Sequence, residues 1–437
     1  MTEHGAPGRE RNRGRSVLES PLSATWTPRV RERAVLVGVG PGMHQDDLEE
    51  LAALSDSAGA EPVARMVQSR EPDPGTYIGK GKIEELHRLV HANNASAVML
   101  DHELSPGQLR SLEERLGVKV VDRTALILDI FALHARSREG KAQVELAQLS
   151  YLLPRLRGWG EAMSRLGGGI GTRGPGETKM EVDRQHIRRR ISKLRRDIKD
   201  LARTREVKRA GRQRSGLPQI AIAGYTNAGK STLMNALTRA DVLVADQLFA
   251  TLDPTTRRLE LPGGRNATVS DTVGFVGKLP HDLVEAFRST LEEVTLADLV
   301  LHVADASSPA LEDQIAAVRS VLAEIGAGGI PELLVLNKID RVPGSARARA
   351  ARRFPGSIAV SGLTGEGVEG VLEAAAAALP HPPVEVTLLV PFGREDVTAR
   401  LYREAEVLDT EARQDGTVVR ARVGARELAA IREMVLT

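Results

Sequence analysis

The chain is 437 residues long, with 41% hydrophobic and 27% charged residues, enough apolar content for two to four packed domains at roughly 100–200 residues each. It contains no cysteine, which excludes disulfides, thiolate metal sites and thiol nucleophiles and points to the cytoplasm. No stretch approaches the roughly 18 apolar residues of a membrane span, aromatics at 3% argue against a stacking reader of single-stranded nucleic acid, and a net charge of +2 from 60 basic and 58 acidic residues hides how those charges are distributed.

Residues 1–33 are rich in Arg, Gly and Pro and read as a disordered basic tail without the apolar core of a secretory signal. Residues 34–139 read as a small parallel α/β domain. Its strands are expected at 34–40, 97–101 and 118–122, and its helices at 44–59, about 81–93 and after Ser105-Pro106. Residues 140–214 read as an antiparallel helical hairpin. Leu146, Leu149, Leu153 and Leu156 form one coiled-coil-like seam, and Met180, Ile187, Ile191, Leu194, Ile198 and Leu201 form the other. The connection, 158–178, is glycine-rich and longer than most loops of compact domains, which points to function or disorder. Residues 215–381 alternate strand and helix again, with strands at 219–225, 268–272, 298–306, 332–340 and 357–362. Residues 382–437 read strand, helix, strand, helix around a turn at Gln414-Asp415-Gly416, a small α+β appendage.

The sharpest chemical signal is Gly224-Tyr225-Thr226-Asn227-Ala228-Gly229-Lys230-Ser231, between an apolar strand and a helix. Glycines let backbone N–H groups close on phosphate oxygens, and the helix N-terminus adds partial positive charge. Lys230 is expected at the β- and γ-phosphates and Ser231 on Mg²⁺. Downstream, Asp271-Thr272-Val273-Gly274 ends a strand; its carboxylate can join the Mg²⁺ shell through a water, and the Gly274 N–H can sense the γ-phosphate. Asn337-Lys338-Ile339-Asp340 ends another. A carboxylate at Asp340 can accept both N1–H and the exocyclic amine of guanine, a donor pair that adenine lacks. Ser361-Gly362-Leu363 can add backbone contacts to the base.

Between these motifs lies Phe249-Ala250-Thr251-Leu252-Asp253-Pro254-Thr255. A threonine here is expected on Mg²⁺ when the γ-phosphate is present; Thr251 is preferred, with Thr255 and Thr256 as rivals. The set specifies a guanine-nucleotide hydrolase and resembles the translation-factor-like P-loop GTPases. The position after Gly274 is Phe275, where Ras-like enzymes carry the glutamine that orients water. The catalytic group is therefore unassigned, and slow intrinsic hydrolysis stimulated by a macromolecular partner is expected.

Further stretches are similar to HflX-type GTPases. They are Tyr77-Ile-Gly79-Lys80-Gly81-Lys82 through Leu86, Asp122-Arg123-Thr124 through Phe131, His134-Ala-Arg136-Ser-Arg138-Glu-Gly140-Lys141 and the run from Gly167 to Glu177. The resemblance covers about residues 34–380. It implies an N-terminal α/β domain, a helical hairpin and a GTPase domain, in a protein that binds the large ribosomal subunit and splits, rescues or recycles stalled ribosomes under stress. A GTP-timed assembly factor for the large subunit is the alternative.

Charge distribution supports an RNA partner on its own. Residues 184–214 hold fourteen basic residues against three acidic, a net of about +11, so the remaining chain is acidic. Such a density favours phosphate backbones, here rRNA, and salt-dependent binding. Arg188, Arg189, Arg190, Lys193, Arg195 and Arg196 on this helix, with Arg173 at the glycine-rich tip, are the candidate RNA contacts. Gly79-Lys80-Gly81-Lys82 is either a second phosphate site or a helix-start turn with solvated lysines. A monomer is expected.

Overall fold

The structure, a computed structural model, describes residues 31–156, 175–214, 217–240, 248–249, 251–262, 265–277, 288–380 and 384–423. No helix among them is long and apolar enough to cross a membrane. The chain falls into two compact units, Met1–Asp129 with Gln148–Ser192, and Ile130–Ala147 with Lys193–Thr437.

The first unit holds β1 (Glu32–Val39), α1 (Glu49–Ser57), β2 (Ala60–Gln68), α2 (Lys80–Ala92), β3 (Ala97–Leu100), α3 (Pro106–Leu116), β4 (Lys119–Val121) and most of α4 (Arg123–His134). The four strands form a parallel sheet in the order β2-β1-β3-β4. Ala34–Val39 is buried along its length, as a central parallel strand covered on both faces requires. Strand β2 escapes the apolar pattern because it is an edge strand with Pro62 inside it and a register shift opposite Ala34/Val35. A capping box opens α3: Gln108 N–H donates to Ser105 Oγ at 3.3 Å, and Ser105 N–H donates to Gln108 Oε1 at 3.0 Å. Gly117 closes it at φ 69°. Buried ion pairs tie the strand ends together. Arg123 bonds Asp101 at 2.7 Å and also Glu50, while Arg155 reaches Asp122 at 3.2 Å and the Leu104 carbonyl at 2.8 Å.

Helix α5 spans Arg138–Arg155, and α6 runs unbroken through Pro175–Arg214. The latter starts three residues before the end of the stretch read as loop, because proline fits the first helical turn, where its missing N–H has no partner to lose. Along α6, Ile187, Ile191 and Leu194 are buried, as the heptad-like spacing demands, and the basic residues between them face solvent.

The second unit continues with β5 (Gln219–Gly224), α7 (Lys230–Thr238), β6 (Thr255–Glu260), β7 (Asn266–Asp271), α8 (Arg288–Thr295), β8 (Leu299–Asp305), α9 (Leu311–Glu324), β9 (Glu332–Asn337), α10 (Gly344–Arg353), β10 (Ile358–Ala359) and α11 (Val368–Ala378). The sheet order is β10-β9-β8-β5-β7-β6, parallel except for β6, which pairs antiparallel with β7 at the edge. Ile220, Ile222, Leu301, Val303 and Val335 fill one face of the sheet. The chain closes with β11 (Val384–Pro391), α12 (Glu395–Glu404), β12 (Glu406–Arg413) and β13 (Gly416–Val423), in the sheet order β11-β13-β12. The turn at Gln414–Gly416 joins two antiparallel strands, so the described residues read strand, helix, strand, strand; the final helix expected from sequence falls on residues 424–437, which lie outside the described residues.

Candidate functional site

Strand β5 ends at Gly224, and residues 225–229 turn directly into α7. The turn takes Asn227 and Gly229 to positive φ, 58° and 85°. A side chain at Gly229 would also put its Cβ 2.3 Å from Asn337 Nδ2, so both backbone and space demand glycine. With Gly229 at its N-cap, α7 has no side-chain cap, and its first N–H groups are available to phosphate oxygens. Lys230 folds back over this loop, donating to the Tyr225 carbonyl at 2.9 Å and the Gly224 carbonyl at 3.2 Å. Burial lowers its ammonium to about 8; Asp271 pulls it back up and Lys338 pushes it further down.

Three oxygens converge next to Lys230. Ser231 Oγ–H donates to Asp271 Oδ2 at 2.6 Å, Thr251 Oγ1–H donates to the same oxygen at 3.1 Å, and the two hydroxyls are 3.0 Å apart. The other carboxylate oxygen, Asp271 Oδ1, is buried without a hydrogen-bond partner among the described residues. Of the three threonines weighed from sequence, Thr251 is therefore the one brought to this cluster. Thr255 opens β6 exposed to solvent, and the Thr256 hydroxyl sits 2.8 Å from Ser270 Oγ across the antiparallel pair. Phe249 and Leu252 on either side are buried, and Ala250 lies outside the described residues. The Asp253 carboxylate accepts instead from the backbone N–H groups of Arg136 and Ser137.

The Asp271–Gly274 segment is laced to the phosphate loop. Thr226 N–H donates to the Phe275 carbonyl at 2.6 Å, Phe275 N–H to the Gly224 carbonyl at 3.1 Å, and Thr272 Oγ1–H to the Ile222 carbonyl at 2.7 Å. A Cβ on Gly274 would meet Lys230 Nζ at 2.9 Å and Thr226 at 2.8 Å, so only glycine fits there. Phe275 is buried in a core with Ala221, Ala223, Tyr225 and Leu291; it is a packing residue.

The base end is built from the tips of β8, β9 and β10. Asn337 is 2% exposed. Its Nδ2 donates to the Ala228 carbonyl at 2.8 Å, and its Oδ1 accepts from Gly362 N–H at 2.9 Å, so one side chain joins the phosphate loop to the 361–363 loop. Lys338 adopts φ 63° and pairs with Asp305 at 2.8 Å. Burial pushes the Asp305 carboxyl up, but Lys338 and Ser307 outweigh it and hold it below its ordinary range. Ser361 Oγ–H donates to Asp340 Oδ1 at 2.7 Å and orients that carboxylate, which is exposed. Ile339 is buried beneath it, and Leu363 is open to solvent. Sequence reasoning does not single out Asp305: its place directly beside Asn337 comes from the β8–β9 register, and the only signal along the chain is an aspartate near the end of an apolar strand.

Arg188, Arg189, Arg190, Lys193, Arg195 and Arg196 are exposed along α6, and Arg173 lies outside the described residues. At Gly79–Lys82, Gly79 caps α2 and Lys82 pairs with Glu85 at 2.8 Å, as a helix-start turn with solvated lysines would. His302 is structural, buried and hydrogen-bonded through Nδ1 to Glu332 at 2.7 Å.

Family models match three consecutive stretches: a GTP-binding GTPase N-terminal region over 45–132, a GTP-binding GTPase middle region over 134–212, and a 50S ribosome-binding GTPase domain over 219–338. GTPase HflX of Caldanaerobacter subterraneus is 46% identical, covering 94% of this chain and 95% of that protein. GTPase HflX of Escherichia coli is 43% identical, covering 89% and 92%. GTPase HflX of Alkalihalophilus pseudofirmus is 51% identical, covering 71% and 74%. With the phosphate loop, the Asp271–Gly274 turn and the Asn337–Asp340 loop at the ends of β5, β7 and β9 of one sheet, the chain belongs to the HflX family of GTPases, binding GTP and GDP and hydrolysing GTP to GDP and phosphate.

Proposed function

We propose that this GTPase acts in the cytoplasm on the large ribosomal subunit and splits or rescues stalled ribosomes under stress. The observation that carries the reading is α6, where exposed Arg188, Arg189, Arg190, Lys193, Arg195, Arg196 and Lys199 surround a buried seam of Ile187, Ile191 and Leu194. One helix thus supports itself on its apolar residues and offers rRNA a run of cations. GTP holds that helix against rRNA, and hydrolysis releases it.

With GTP bound, Mg²⁺ would be held by the Ser231 and Thr251 hydroxyls, with Asp271 in its outer shell. The buried, unpartnered Asp271 Oδ1 beside two hydroxyls is the kind of oxygen-rich donor set this ion takes. The ion would neutralise charge on the β- and γ-phosphates. Lys230 binds the same oxygens, Gly274 N–H meets the γ-phosphate, and Asp340 reads guanine. Because Phe275 is committed to the core, no glutamine-like side chain orients water from that position, and ribosome stimulation is expected.

Sedimentation of intact ribosomes with this protein and GTP, or a non-hydrolysable analogue, tests the reading. Dissociation into subunits, lost as salt rises, supports it. Binding confined to immature large subunits would favour the assembly role, and equal ribosome affinity in the GTP and GDP states would contradict the release step.

A further inference from the structure

Phe249 and Asp253, on either side of Thr251, are each anchored to residues that no nucleotide-binding motif includes. At one end the Phe249 ring meets Phe131 edge-on, with centroids 4.6 Å apart at 73°. At the other, Asp253 caps the start of α5. Its Oδ2 accepts the N–H groups of Arg136 at 3.0 Å and Ser137 at 2.6 Å, and its Oδ1 accepts the Ser137 hydroxyl. Ser137 Oγ in turn accepts Gly140 N–H at 2.8 Å, so the carboxylate and the helix cap form one continuous network at the positive end of α5. Gly140 is buried beneath it. A Cβ there would lie 2.5 Å from Asp253 Oδ1. Between the two anchors, Thr251 Oγ1 reaches Ser231 and Asp271.

We infer that residues 136–140 are part of the GTPase centre: Asp253, Ser137 and Gly140 are positioning residues that hold Thr251 in place for hydrolysis. The inference rests on the reading of Thr251 as a Mg²⁺ ligand. An anchored segment has less freedom to lose when GTP binds, and a hydroxyl displaced by about 1 Å lowers turnover by up to about a hundredfold. GDP makes no demand on Thr251, so its binding does not use the clasp. The coupling is reciprocal: a nucleotide that fixes Thr251 also tightens the first turn of α5.

Gly140→Ala is the discriminating variant. Alanine suits a helix better than glycine, while the new methyl occupies the space of the Asp253 carboxylate and stands 3.1 Å from Ser137 Oγ, so it presses on the clasp from within. Turnover at saturating GTP should fall by about tenfold or more, and affinity for a non-hydrolysable GTP analogue at limiting Mg²⁺ should fall by a similar factor, with GDP affinity unchanged within about threefold. Ser137→Ala, which spares the two backbone donors, should shift the same quantities less, and Asp253→Ala should match Gly140→Ala. Thr251→Ala sets the scale. If Thr251→Ala is inactive while Gly140→Ala and Asp253→Ala behave as the parent, the clasp is refuted and the Thr251 reading stands. If Thr251→Ala is itself unaffected, both fail. Equal losses of GTP and GDP affinity would reduce the network to a structural contact and overturn the proposal.

Discussion

Removing the Asn337 side chain should weaken GDP and GTP alike. The amide is 2% exposed and makes two good hydrogen bonds, at 2.8 Å to the Ala228 carbonyl and 2.9 Å from Gly362 N–H, with a longer approach of 3.4 Å to the Gly229 carbonyl. Asn337→Ala takes this partner from both the Ala228 carbonyl and the Gly362 N–H. Each group left unpaired costs about 1–3 kcal/mol, or about 2–6 kcal/mol together. Part is borne by folding and part by the nucleotide that organises both loops, so at 1.4 kcal/mol per decade the GDP Kd should rise about 10- to 1,000-fold. Because the amide ties the phosphate loop to the base loop, which both nucleotides use, GTP should weaken by the same factor while kcat at saturation changes little. Competition against a fluorescent GDP analogue, with thermal melts in parallel, measures both shares. Asn337→Asp keeps the acceptor for Gly362 but sets a carboxylate oxygen against the Ala228 carbonyl, and should lose at least as much. A GDP Kd within about threefold of the parent, or a loss confined to GTP, would refute the account of Asn337 as a tie between loops.

Three further outcomes are expected. Asp340→Asn turns an acceptor of guanine donors into an amide; GTP affinity should drop about 10- to 100-fold and xanthine nucleotide binding should improve, so unchanged base preference would remove Asp340 from the base site. Phe275→Gln puts an amide into the core beside Tyr225 and Leu291 and should lower stability by about 3–5 kcal/mol in urea unfolding without raising turnover; faster hydrolysis at unchanged stability would contradict the packing role. Burial pushes the Asp129 carboxyl up to about 6, Lys119 opposing and Glu32 adding, so the folded unit holds this proton more tightly than the unfolded chain does. The associated stability is fully present below about pH 4 and is lost as pH rises through about 6. Asp129→Asn should therefore stabilise by up to about 3 kcal/mol at pH 7 and very little at pH 4; equal effects at the two pH values would refute the assignment.

What was legible in the sequence was what a short window specifies. A phosphate loop, a strand-ending aspartate and an asparagine–aspartate turn each rest on local backbone geometry, as Gly229 at φ 85° and Lys338 at φ 63° illustrate. The central strands announced themselves because both faces are buried. The strands at the margins did not: β6 buries only Leu259 fully, β2 carries a proline at the sheet edge, and β13 follows a tight turn that reads equally well before a helix.

Choosing among Thr251, Thr255 and Thr256 needed tertiary information of a different kind. Thr256 is spent on Ser270 only because β6 pairs antiparallel with β7 in one register, a fact of the sheet that the polar run TTRRLE does not encode. The Asp253–Ser137 clasp joins residues 116 positions apart, where no periodicity operates. Each partner alone is unremarkable: an aspartate before a proline, a serine before a helix. Their meaning comes from Gly140, whose missing side chain makes room for the carboxylate. Steric demand of that sort is invisible along the chain and becomes plain once Asp253 stands over the helix start. It is also why removing space at Gly140, rather than removing a polar group, is the stricter test of how this GTPase holds Thr251.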